Sequence, residues 1–238
     1  MSDHSEPPVF DRDPSEGADI TAEFDNGVSW ITHPEERGKR ASHAIATDEG
    51  VWIIDPLDAP NVDEHIGSLG EVAGVLVLMC WHARDAEQFA ERYDVAVHAP
   101  AWLDRVDDLI DAPIERYSLS PAPSFRTIAC RPFPMWQEQF LYHEPGGTLV
   151  IPDSLGTTDP FLVSDQRLGL ELLRRLKPPT QLSGLEPKRI LVGHGEPITE
   201  DAPAALADAL SDGRLSFLDS ARENGREAVR SLVRATRD

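Results

Sequence analysis

Gly74-Val75-Leu76-Val77-Leu78-Met79, running directly into Cys80-Trp81-His82-Ala83-Arg84-Asp85, carries more information than any other part of this chain. The first six residues are uninterruptedly apolar, the pattern of a strand buried on both faces. Glu87, Phe89, Ala90 and Arg92 then mix charge and apolar character as a short helix does, and Val95-Ala96-Val97-His98 reads as a second strand. The unit is strand, turn, helix, strand, with a thiol, an imidazole and a carboxylate at the first strand's carboxyl end. Open α/β sheets hold their ligands at such ends.

Two later strands end in comparable groups. Thr148-Leu149-Val150-Ile151 stops at Pro152-Asp153, and Arg189-Ile190-Leu191-Val192 stops at Gly193-His194-Gly195. Thiolate, imidazole and carboxylate are common zinc ligands, and a zinc site needs them to converge from separate strands or turns. A single His or Asp at a strand end is more often a satisfied structural residue. Three such ends in one chain point to a common site.

The remaining pattern fits one α/β domain. Val28–Ile31, Ser42–Thr47 and Gly50–Asp55 read as strands, and Asn61–Ser68 and Ala101–Ile110 as short helices. Arg126–Cys130 and Gln139–Tyr142 are strands leading to Gly146-Gly147. Asp165–Leu176 presents five leucines and is expected to be a helix, as are Asp201–Ser211 and Leu215–Thr236. Residues 1–25, polar and acidic, are expected to be a flexible tail, leaving 26–238 as a single domain with C-terminal helices.

Composition narrows the function classes. The 238 residues carry 42 acidic and 22 basic side chains, a net charge of −20, and the only lysines are Lys39, Lys177 and Lys188. An acidic, lysine-poor surface stays hydrated in high salt, which screens its self-repulsion, so the composition resembles that of a halophile's protein. Such a charge argues against nucleic acid and anionic membrane as partners, because phosphate backbones require a basic face. Cys80 and Cys130 are too few for a disulfide framework. No apolar run approaches a membrane span, and residues 1–25 lack the apolar centre of a signal peptide, so a cytoplasmic location is expected. A small molecule in the cleft is the expected ligand, with a homodimer as the one macromolecular partner to consider. No phosphate-cradling glycine loop and no serine nucleophile elbow is present.

The order of these segments resembles the metallo-β-lactamase superfamily, an αββα sandwich of two mixed β-sheets flanked by helices. Ile54-Asp55-Pro56 resembles the end of an early strand of that family, Thr148–Asp153 a later one, and Val192-Gly193-His194-Gly195-Glu196-Pro197 its terminal Gly-His-Gly turn. The likeness runs from about Val28 to Ala209. Laid on the family's HxHxDH metal motif, the four ligand positions hold Cys80, His82, Arg84 and Asp85. Only His82 is unchanged, and no histidine stands near Arg131-Pro132-Phe133-Pro134, where the family's Gly-His loop falls. Arg84 offers only donors and a permanent charge, so it cannot ligate. The resemblance therefore implies one metal ion at most.

Two readings stay open. In the first, a single zinc or iron is held by some of Cys80, His82, Asp85, Asp153 and His194, and activates water for hydrolysis of an ester, thioester or phosphodiester. In the second, no metal binds and Arg84 supplies the positive charge, paired with Asp85 or Asp153; the chain is then a binding or regulatory protein on the same scaffold. Arg84 and Asp85 are the candidate catalytic groups. Several residues have plainer readings. Cys80 is read as an apolar filler, His43 as structural, and Asp55 as a carboxylate behind the ligands or a turn cap. Arg222, Arg226, Arg230 and Arg234 line one face of the last predicted helix as a brace or dimer contact.

Overall fold

Seven strands in sequence order make the first sheet of the computed structural model, which describes residues 8–212 and residue 217. They are β1 (Asp19–Phe24), β2 (Gly27–Ile31), β3 (Ala41–Thr47), β4 (Gly50–Ile54), β5 (Val72–Leu76), β6 (Val97–Pro100) and β7 (Ile114–Tyr117). The first four pair antiparallel and the last four parallel, so the sheet is mixed. The parallel half needs crossovers, supplied by α1 (Val62–Leu69), α2 (Ala86–Tyr93) and the single turn α3 (Val106–Leu109).

The second sheet contains β8 (Phe125–Phe133), β9 (Trp136–His143), β10 (Thr148–Ile151) and, beyond the small β11 (Leu155–Gly156) and β12 (Gly169–Leu170) hairpin and α4 (Leu172–Leu176), β13 (Arg189–Val192). Its order is β13-β10-β9-β8, with β13 parallel to β10. Helix α5 (Ala202–Asp212) covers its outer face.

Period-2 alternation explains the layering. Val51, Ile53 and Val75 point outward toward α1 and α2, while Trp52, Ile54 and Leu76 point inward between the sheets. In the second sheet Val150 and Leu191 face inward, and Leu149, Ile151, Ile190 and Val192 pack beneath α5. Apolar side chains on both faces give the continuous hydrophobic runs seen in the sequence, and they require helices on both outer surfaces. The result is helix, sheet, sheet, helix, as the metallo-β-lactamase resemblance implied.

Four expectations need correction. The backbone loses regular strand pairing after Leu76, leaving only an isolated bridge from Met79 to Glu138. Asp165–Leu176 is not one helix: Leu168 and Leu170 are buried around the β12 strand, and helix begins only at Leu172. Of Ala101–Ile110, only Val106–Leu109 is helical. Residues 8–24 are not a loose tail. Asp19–Phe24 is an edge strand paired with β2, and Arg37 and Gly38 donate backbone hydrogen bonds to the Pro8 and Val9 carbonyls. Apart from residue 217, the predicted helix at Leu215–Thr236, with its arginine stripe, lies outside the described residues.

Candidate metal centre

The site forms where the ends of β10 and β13 meet the Met79–Asp85 turn. β10 and β13 run parallel in register, Ile151 beside Val192, so the residues following them emerge together. Gly193 permits the close approach, because a Cβ there would collide with the Pro152 carbonyl. Gly195, at φ +101°, turns the chain away where an L side chain would be strained. Asp153 and His194 thus project side by side, and His82 meets them from the first sheet.

The three side chains are buried at the floor of a cleft of about 800 Å³. His82 Nε2 lies 3.0 Å and His194 Nε2 3.1 Å from the same Asp153 oxygen, Oδ1. One donor atom from each of the three residues lies within 4.8 Å of the others. Each imidazole is oriented from behind. His82 Nδ1 donates to Asp55 Oδ2 at 2.9 Å, and His194 Nδ1 to the Gly38 carbonyl at 2.7 Å. Phe161 stacks on the His194 ring at 5.5 Å.

This arrangement fits a cation. A carbonyl and a carboxylate can only accept, so both Nδ1 atoms carry hydrogen, and in the neutral rings both Nε2 lone pairs face Asp153. Asp153 Oδ1 is buried without a hydrogen bond, although two ring nitrogens lie about 3 Å away. With the rings neutral, the three electron-rich atoms converge as the donor set of a zinc ligand cluster. Bonds of about 2.0–2.1 Å in a tetrahedron set ligand atoms roughly 3.3 Å apart, close to the spacing seen.

The electrostatics show the pull of the cluster on positive charge, a proton or a metal ion alike. Burial opposes ionisation of Asp153, yet the charges and hydrogen-bonding reach of His82 and His194 outweigh it and hold the carboxyl far below its usual range. For His82, burial and the Arg84 charge work against protonation, but Asp153 and Asp55 prevail and raise its pKa. His43, by contrast, is fully buried and near Arg84. It is pushed down to about 3 and stays neutral, bridging Ser29 Oγ at 2.7 Å and the Val192 carbonyl at 3.1 Å.

The other sequence candidates lie elsewhere. Cys80 is buried, its Sγ 3.7 Å from the Met135 carbonyl, and burial pushes its thiol up to about 11; it does not join the cluster. Asp85 does not ligate either. It accepts the Asp58 amide at 2.7 Å and ties the turn after β4 to the start of α2. Arg84 forms no hydrogen bond to Asp85 or Asp153. Its φ of +43° turns it under the strand ends, where Nη1 donates to the Ala41 and Asp55 carbonyls at 2.6 and 2.8 Å and Nη2 to Gly193 at 3.3 Å. Asp55, at φ +44°, is the second non-glycine residue here in the left-handed region, a strain that costs about 1–3 kcal/mol and clusters at functional sites.

One buried group gave no signal in the sequence. Glu138 Oε1 accepts the amides of Asp153 and Ser154 at 2.7 and 2.8 Å, and Oε2 accepts Trp136 Nε1 at 3.0 Å and the Ser154 hydroxyl. Burial and the Asp153 charge raise its pKa, while these donors work the other way. Arg174 Nε reaches Ser154 Oγ at 2.9 Å and completes the network. The turn bearing Asp153 is thereby fixed from below.

Solved structures decide the architecture. The chain aligns with the DIM-1 metallo-β-lactamase over 86% of its own length and 100% of that chain, with a TM-score of 0.60 and 11% identity. The chain has the metallo-β-lactamase fold. The metallo-β-lactamase FIM-1 from Pseudomonas aeruginosa, solved in a mono-zinc form, aligns over 86% of this chain and 98% of its own, with a TM-score of 0.57 and 9% identity. The metal-soaked Flv1 flavodiiron core from Synechocystis aligns over 84% of this chain and 62% of its own, with a TM-score of 0.57 and 12% identity. No family model and no curated protein matches the sequence. At such identities the metallo-β-lactamase likeness establishes the fold, and the chemistry rests on His82, Asp153 and His194.

Proposed function

We propose that this chain binds one divalent cation, zinc by the character of its donors, and hydrolyses an ester, thioester or phosphodiester bond of a small molecule in the cleft. The observation that carries the reading is Asp153 Oδ1, buried and without a hydrogen bond between two imidazole nitrogens whose other ring nitrogens are already engaged. Three protein ligands with a position left for substrate or water is the pattern of catalytic rather than structural zinc. The existence of a mono-zinc form of a metallo-β-lactamase with this fold supports a single ion here.

A zinc ion held by these residues would supply Lewis acidity and a water-derived nucleophile at neutral pH. The protein's own contribution is positional. Asp55 and the Gly38 carbonyl fix the two imidazoles in the tautomer that presents Nε2. Glu138 holds the Asp153 backbone. Arg84 places a fixed positive charge beside His82, with Nη2 3.5 Å from Nε2. That charge opposes any cation beside His82, so the Asp153 carboxylate must offset it, and it favours negative charge developing on a substrate oxygen. Burial of the three donors strengthens these interactions relative to water.

The nearness of Arg84 to His82 also favours the alternative, a metal-free binding protein in which the guanidinium replaces the ion. Elemental analysis of tag-free protein, dialysed against a weak chelator, separates the two. One zinc per chain, lost in His194→Ala together with hydrolysis of a panel of esters, thioesters and phosphodiesters, is expected. Protein without metal that still binds ligand would overturn the hydrolase reading. No helix among the described residues is long and apolar enough to cross a membrane. The two unbridged cysteines support a cytoplasmic setting.

A further inference from the structure

Five arginines line the cleft: Arg12, Arg40, Arg84, Arg92 and Arg105. Four are engaged. Arg40 pairs with Glu36, Arg84 with backbone carbonyls, Arg92 with Asp58 and Asp63, and Arg12 has a partner as well. Arg105 is different. It is half-buried, and among the described residues its guanidinium has no hydrogen bond or ion pair.

The lack of a partner is notable because carboxylates surround Arg105 in the sequence. Asp104 stands before it, and Asp107 and Asp108 follow. Two of them are turned to other partners. Asp104 exchanges hydrogen bonds with Gln137, whose Nε2 donates to Oδ2 at 2.7 Å and whose Oε1 accepts the Asp104 amide at 2.6 Å. Asp107 is tied to Arg116 at 2.5 Å. The Arg105 backbone is itself held in the left-handed region, at φ +70°, which an unbranched residue adopts only where surrounding structure imposes it. Trp81 and Leu109 line the same cleft and offer apolar surface.

We propose that Arg105 is the specificity-determining residue of this cleft and takes an oxyanion of the substrate, a carboxylate or a phosphate, while the substrate's apolar body rests on Trp81 and Leu109. A guanidinium presents paired donors matched to such a group. Asp11, Asp13, Asp58, Asp63, Asp85 and Asp153 line the cleft too, so Arg105 fixes where an anion sits rather than making the whole cleft positive. The inference deepens the hydrolase reading and rests on it for the reaction, but not for the binding.

The test separates the two. Glutarate, inorganic phosphate and neutral glutaramide are titrated calorimetrically into the full chain, into Arg105→Gln, and into both in a His194→Ala background, where the cation site is broken. Glutarate or phosphate should bind in either background, glutaramide should not, and Arg105→Gln should weaken the anion about tenfold or more, as expected for a lost charge-assisted contact. Arg105→Lys should recover part of the binding, and Arg105→Glu should abolish it while thermal unfolding shows each variant folded. The anion that binds identifies the substrate's group. In turnover, kcat/KM for mono-4-nitrophenyl glutarate relative to 4-nitrophenyl acetate should fall in Arg105→Gln through KM. Equal binding of both anions to the full chain and Arg105→Gln overturns the proposal. Arg105-dependent binding without any hydrolysis overturns the hydrolase reading and leaves this one standing.

Discussion

His82 and Asp55 form a buried pair in which Nδ1 of the imidazole donates to Oδ2 of the carboxylate at 2.9 Å, while the other carboxylate oxygen accepts the Leu78 amide at 2.9 Å. The carboxylate thus holds both the ligand and the strand that leads to it. Carboxylates behind metal-bound histidines typically contribute 10- to 100-fold in metal affinity. Asp55→Asn keeps the left-handed backbone, which Asn tolerates, and removes the charge together with one of the two accepted hydrogen bonds. It should weaken zinc binding by about tenfold or more, read by competition with a chromophoric chelator. Unchanged affinity would mean that the pair is structural only.

Arg84 makes a different prediction. Its guanidinium satisfies the carbonyls of Ala41, Asp55 and Gly193, which come from three separate strand ends. Arg84→Ala takes the guanidinium from three carbonyls, of which Asp55 keeps the Ser42 hydroxyl and Gly193 keeps the Ala41 amide, so the cost is roughly 1–3 kcal/mol in all. A loss of about 1–3 kcal/mol in urea unfolding is expected, larger than for Arg84→Lys. Metal content should not rise above one ion per chain, because truncation adds no ligand.

Glu171 sets a pH dependence. Its side chain caps α4 by accepting the Leu173 and Arg174 amides at 2.6 and 3.2 Å, yet burial prevails and raises its pKa from 4.5 to about 7. The folded state therefore binds this proton more tightly than the unfolded chain. The associated stability is fully present below pH 4.5 and is lost as pH rises through 7. At 1.36 kcal/mol per pKa unit the contribution is of order 3 kcal/mol. Glu171→Gln, which retains a capping oxygen, should flatten the pH dependence of the melting temperature over that interval at constant salt. A wild-type slope that persists in the variant would assign the effect to another group.

Cys80 should be inert. Its thiol, pushed up to about 11 and 2% exposed, is about one part in a thousand thiolate at pH 8. Ellman's reagent should titrate neither Cys80 nor the buried Cys130 until the chain is unfolded, and Cys80→Ala should retain its zinc. Loss of the metal in that variant would return Cys80 to the ligand set.

The buried strands were legible from their apolar runs, and the two-sheet sandwich from the metallo-β-lactamase resemblance. Trp52, Ile54, Leu76, Val150 and Leu191 belong to runs whose two faces are both apolar, which can only be buried between covered sheets. His82, Asp153 and His194 stood out because each follows such a run. Cys80 and Asp85 misled because the turn after Leu76 is irregular. Cys80 donates its amide to Gln137 and faces the β8–β9 hairpin, and Asp85 faces the Asp58 amide. Arg84 was misjudged for a related reason: its positive φ sends the side chain to carbonyls rather than to carboxylates. Leu168 and Leu170 looked helical among their neighbours, but their i, i+2 spacing is that of the strand they flank and enter. Residues 8–18 gave no apolar signal, since they dock largely through backbone amides and through Phe10, which lies beneath the Arg40 guanidinium at 5.4 Å and near His194 at 6.2 Å. Glu138, flanked by Gln137 and Gln139, reads as a surface residue; only the fold shows that the Asp153 turn depends on it.

The contact between Gly38 and His194 has a consequence for how the protein is made. Ala41 donates its amide to Gly193, Gly195 to Lys39, and His194 Nδ1 to Gly38, so the segment around residue 40 is closed by a segment some 155 positions later. The seven strands of the first sheet pair with their sequence neighbours and are complete by Tyr117. The donor set is not complete until His194 has been synthesised. An ion held at this site would therefore not template the first half of the chain; it would enter after translation has passed residue 194, as a latch on a largely finished scaffold.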